Sequence, residues 1–179
     1  MADWVTDGKI GVDLTATYAS TSAGSSALFP AKPGDRVTTT NNGHYMFTRA
    51  QSDISQFDAV IFSSFGDSAS QTPTVAACPL TIANASATYG PNMIGFAQTS
   101  IASSYYGWVA LNGTALRINC LIACQPKVPL YATSTAGKLD DATVSAAYVT
   151  GVIINTSATS ASAPFAVANW PKVITSNPV

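Results

Sequence analysis

Charge is the first thing this chain lacks. Only 9% of its 179 residues are charged, with 8 Lys+Arg set against 9 Asp+Glu, where an average globular protein carries about 25%. Recognition of nucleic acid needs clustered Lys and Arg, and neither a cluster nor an excess is present. The formal net charge of -1 gives little self-repulsion, so the surface, made largely of Ser, Thr, Asn, Gln and Ala, favours association over long-range steering.

Histidine is nearly missing as well. His44 is the only one, so a His-based zinc triad within one chain is excluded, and a Ser-His-Asp relay would depend on one residue beside a turn. Walker loops, dinucleotide fingerprints and GxSxG elbows are also lacking. The expectation is a protein that is not an enzyme and takes no cofactor or metal. Asp35 and Asp67 read as turn residues, and so does the pair Asp140-Asp141, which supplies too few oxygens for calcium.

No apolar run approaches the roughly 20 residues that cross a bilayer, and MADWVTDGKIGVDLT has neither the basic nor the apolar region of a signal peptide. Synthesis and folding in a cytosol are therefore expected. The three cysteines agree: Cys78 stands alone, while Cys120 and Cys124 lie in one extended-looking run. In a strand that spacing would hold them about 13 Å apart, beyond the roughly 7 Å a disulfide spans, so free buried thiols are expected.

What is present is a leader followed by a β-rich body. Residues 1–33 are small and polar with isolated apolar side chains, Trp4, Val5, Ile10, Val12, Leu14, Tyr18, Leu28 and Phe29, and the Ser/Ala/Gly-rich part closes on Pro30 and Pro33. This reads either as an extended arm, which would use those large residues, or as a disordered leader, which would not need them. Residues 34–179 form the expected β domain. RVTTT, NNG and HYMFTR (Arg36 to Arg49) read as a hairpin. Further strands are expected over Asp58–Phe65, Met93–Ile101, Tyr106–Leu111, Ala115–Cys124, Val128–Thr133, Ala147–Asn155 and Pro164–Trp170. Short strands punctuated by Gly, Pro and Asn point to an all-β fold, a small β-sandwich or barrel.

Asn112-Gly113 is the strongest hairpin signal in the chain, and a two-residue turn there would oppose Val109 to Leu116 and Trp108 to Arg117. One face would then carry Val109, Leu111, Leu116, Ile118, Cys120 and Ile122 as core. The other would carry Tyr106, Trp108 and Arg117, residue types enriched at interfaces, with Trp108 and Arg117 able to stack. Trp108 on that face is either core between two sheets or part of an interface, with Tyr105, Tyr106 and Trp108 as a sugar-stacking platform the minor third reading.

Three segments carry a family resemblance. Gly43, Tyr45 and Ala50 form one. Gly95, Ala97, Ile101, Tyr106, Gly107, Trp108, Val109 and Gly113 form another, and Leu130, Tyr131, Ala136, Gly137, Leu139, Asp140 and Asp141 the third. In order and spacing they resemble the capsid decoration, or cement, proteins of tailed bacteriophages, over roughly residues 34 to 171.

The resemblance implies a β-tulip or jelly-roll-like domain on an extended N-terminal arm. It also implies a virion protein on the capsid's outer surface, a homotrimer at three-fold and quasi-three-fold positions that stabilises contacts between major capsid proteins, without nucleic acid or membrane as partner. In that reading the eight apolar arm residues meet the capsid, and Tyr105, Tyr106, Trp108 and Arg117 lie between subunits. A phage tail or fibre component and a carbohydrate-binding β module are the alternatives.

Overall fold

The computed structural model describes residues 12–19, 31–64, 74–77, 93–142, 147–159 and 163–174. Among these residues there is no helix, and ten strands form one hydrogen-bonded system, which bears out the all-β expectation. The strands are β1 (Arg36–Thr38), β2 (His44–Ala50), β3 (Ala59–Ser64), β4 (Thr74–Ala77) and β5 (Ile94–Ala97). After them come β6 (Tyr106–Arg117), β7 (Leu130–Ala132), β8 (Leu139–Asp140), β9 (Tyr148–Ile154) and β10 (Phe165–Ile174).

The β1–β2 hairpin forms where the sequence places it. Asn42 takes φ 57° in its loop, and Thr39 holds the turn from both sides: its N–H donates to the Gly43 carbonyl at 2.9 Å, and its Oγ1 accepts from Gly43 N–H at 3.0 Å. His44 stands beside this turn as the first residue of β2, half-buried with its ring tilted against Trp170 at 5.5 Å.

β2, β4, β3, β5 and β6 pair in that order, and β6 pairs back with β2, so five strands close on themselves. The remaining strands extend from β6 in the order β10, β9, β7, β8. Closure removes edges that would otherwise invite pairing with other chains. Two cores follow from it. Met46, Ala50, Val60, Phe62, Ala97, Val109 and Leu111, drawn only from ring strands, pack together with Ile54, Met93 and Ile101 inside the ring. The opposite faces of the same strands, through Tyr45, Phe47, Ile61, Ile94, Phe96 and Trp108, pack outward against Leu130, Val149, Ile154 and Ala166.

Glycine makes the ring tight enough to fill. A Cβ on Gly95 would run into Val109 and the Ala110 carbonyl, and one on Gly107 would press on Ile101.

The Asn112-Gly113 expectation fails. β6 runs unbroken through both residues, because Asn112 pairs with His44 on one side while Asn112 and Gly113 pair with Asn169 and Ala168 on the other. Ladders on both flanks override a two-residue turn preference. The inferred pairing of Val109 with Leu116 and of Trp108 with Arg117 goes with it. Val109 and Leu111 belong to the inner core, Leu116, Ile118 and Cys120 to the outer one, and Ile122 is 71% exposed.

The run to Cys124 is not one strand either. A turn at Leu121–Cys124, with Ala123 at φ 72°, reverses the chain. β8 also appears where only a turn was expected, its Leu139 pairing with Ala132 and bridging Cys120.

The leader is described only at residues 12–19. There Tyr18 forms an antiparallel bridge to Tyr106 with hydrogen bonds of 2.9 and 2.8 Å, and Val12, Leu14 and Tyr18 pack half-buried on the outer core. Trp4, Val5, Ile10, Leu28 and Phe29 lie outside the described residues, as do Cys78 and Asp67.

Candidate functional site

The four residues assigned from sequence to a subunit interface do not share a surface. Trp108 is 0% exposed, 5.1 Å from the Phe47 ring, and its indole N–H has no hydrogen-bond partner. It is core, and in this conformation it offers nothing to a neighbouring subunit. Tyr106 is half-buried and stacked on Phe47 at 5.9 Å. Tyr105 points outward alone, so the three rings make no common platform for a sugar.

Arg117 leads elsewhere. Its backbone is fixed by Gln98, whose Oε1 accepts from Arg117 N–H at 3.1 Å and whose Nε2 donates to the Arg117 carbonyl at 3.0 Å. The guanidinium then lies 4.6 Å over the Phe165 ring and 5.9 Å over Phe57. Phe165 opens the outward face of β9 and β10.

At the start of β10 that face inverts the usual pattern of a half-buried sheet. β10 turns the small Ala166 and Ala168 into the core and leaves Phe165 at 45% and Val167 at 36% exposure, and β9 presents Ile153 at 50%. Val167 and Ile153 are cross-strand partners, so their side chains form one apolar ridge. Beside it, Tyr148, Gly151, Val152, Ile153, Val167 and Asn169 line a groove of about 260 Å³.

Gly151 makes the groove possible. Opposite it β10 carries the irregularity between Ala168 and Lys172, with Trp170 at φ 46°, and a Cβ on Gly151 (φ 76°) would strike the Asn169 carbonyl. Sequence reasoning found these strands and missed their face. The signal available was the alternation Phe165-Ala166-Val167-Ala168, with the larger side chains on one side, which does not say which side is out.

A polar clasp holds the third resemblance segment to the ring. The buried Asp58 carboxylate accepts from Ser55 N–H at 2.8 Å and from Asn119 Nδ2 at 2.9 Å. Gly137, at φ 75°, sits against that carboxylate so closely that a Cβ would overlap it, and its carbonyl accepts from Ala59 N–H at 2.8 Å.

Cys120, Cys124, Asp140 and Asp141 form a second cluster. The turn at Ala123 brings the two thiols into hydrogen-bonding contact, which corrects their expected separation along a strand. The Cys124 sulfur and one oxygen of each aspartate lie within 4.8 Å of one another. The hydrogen bond to Cys124, burial, and the charges of Cys124 and the two aspartates push the Cys120 thiol far above the usual thiol range. Burial foremost raises Asp140 above the usual carboxylate range. Comparison with protein-family models, with curated proteins and with solved structures finds no match.

Proposed function

We propose that this chain is a structural virion protein that binds the outer surface of an assembled phage capsid and stabilises contacts between major capsid proteins. The exposed apolar face of β9 and β10, with Ile153, Phe165 and Val167 outward, is the observation that carries the reading. A low-charge chain whose β10 turns Ala166 and Ala168 inward and Phe165 and Val167 outward has a surface there suited to being covered.

Arg117 stacked on Phe165 adds a residue type enriched at interface hot spots. The resemblance of the three sequence segments to decoration proteins names the partner, the major capsid protein, and a trimeric arrangement around three-fold and quasi-three-fold positions. Multivalent attachment of that kind turns modest contacts into durable binding. Each bound copy stabilises only the assembled lattice, which is linkage to assembly.

The test is copy number and shell binding. Quantitative mass spectrometry of purified virions should find this chain in numbers comparable with the major capsid protein, and the purified chain should co-sediment with shells that lack it. A handful of copies per particle would make it a tail or fibre part, and absence from particles would overturn the reading.

A further inference from the structure

We propose that Cys120, Cys124, Asp140 and Asp141 form a binding site for one divalent transition-metal cation, with zinc the best fit. The four side chains come from two segments that the fold draws together. Cys120 bridges Leu139 in parallel register, and Leu121 N–H donates to the Leu139 carbonyl at 2.8 Å, so the strand leaving β6 lies alongside β8. The Ala123 turn then returns Cys124 to Cys120.

Asp141 is tied to the same turn, because its Oδ2 accepts from Gln125 N–H at 2.9 Å, and Asp140 Oδ1 accepts from Asp141 N–H at 2.9 Å. Asp140 also accepts from Ala142 N–H, and the two carboxylates meet each other side chain to side chain, so a cation between them would replace that mutual contact.

The donor set selects the metal. Two thiolates and two carboxylates make a mixed soft and hard tetrahedron of the kind zinc accepts, with ligand atoms about 3 to 4 Å apart around the ion. The Cys124 and aspartate donors, within 4.8 Å of one another, need only a small closure to reach that spacing, while Cys120, which meets Cys124 from outside that trio, has to swing toward the aspartates. Calcium and magnesium want oxygen alone, and an iron–sulfur cluster wants more thiolates than two. The thiols are buried and the aspartates half-buried, so the cluster has a wet rim for entry and a dry base. Binding would release the two thiol protons to solvent and leave the metal oxidation state unchanged.

The full chain, reduced with a phosphine, would be titrated with Co²⁺ as probe and then with Zn²⁺. The expected result is one Co²⁺ per chain with thiolate-to-cobalt charge-transfer absorption and tetrahedral visible bands, both erased by Zn²⁺. Zn²⁺ should also slow alkylation of Cys120 and Cys124, read by peptide mass mapping. Cys124→Ser should weaken Co²⁺ binding about 100-fold, and Asp141→Asn, a milder change should the first variant misfold, about 10-fold with charge transfer retained. Cys78→Ala should change nothing. No charge transfer in the wild-type chain, charge transfer that survives Cys124→Ser or disappears with Cys78→Ala, or oxidation of the two thiols to a disulfide that zinc does not prevent would each overturn the site.

Discussion

Trp108 shows that a residue's type alone does not decide its job. Its residue type and its place in the chain left core and interface both open, and the structure takes the core side: the ring is fully buried and packs on Phe47 without a partner for its N–H. Trp108→Ala should therefore cost about 3 to 5 kcal/mol of stability. Trp108→Phe should cost far less, since it keeps an aromatic ring and removes an unpaired buried donor. Urea denaturation of the two variants separates these outcomes, and a mild Trp108→Ala would contradict the core assignment. Gly137 makes the complementary case. With φ 75° and the Asp58 carboxylate where a Cβ would go, Gly137→Ala should destabilise by about 2 kcal/mol or more, measured the same way.

Elements were legible where local chemistry and tertiary pairing agree. The Asn41-Asn42-Gly43 loop turned as its residues allow, and the β-branched runs of β3, β9 and β10 became strands. They were illegible where pairing overrules local preference. Asn112-Gly113 lies flat between β2 and β10, and the Cys120–Cys124 run bends at Ala123, a residue that carries no turn signal. The leader belongs to the same lesson. Its small polar composition left an extended arm and a disordered leader both open, and Tyr18 pairs with Tyr106 while Val12 and Leu14 pack on the outer core. Deleting residues 1–19 should thus lower stability by about 3 kcal/mol, from two lost hydrogen bonds near 1 kcal/mol each and three partly uncovered side chains. A truncated chain with an unchanged melting temperature would show that this segment contributes nothing to the fold.

At the scale of the whole molecule, the ring and its outer layer bury both faces of β2, β3, β5 and β6, and the layer's outward side gathers three of the exposed large apolar side chains, Ile153, Phe165 and Val167. Under the proposed capsid-binding role, stability and association fall to different residues and can be separated by substitution. Ile153 and Val167 contact each other across the strand pair but hold no core position, so Ile153→Asp or Val167→Asp should change unfolding free energy by no more than about 0.5 to 1 kcal/mol. The same changes place a charge in the middle of the apolar ridge, where desolvating it on contact is costly, and should weaken capsid binding about 10-fold or more. In a multivalent complex the loss compounds with every site engaged, so co-sedimentation with shells should fall steeply while the melting curve barely moves. Equal binding by Ile153→Asp and the unaltered chain would mean that this face is not the one the shell covers.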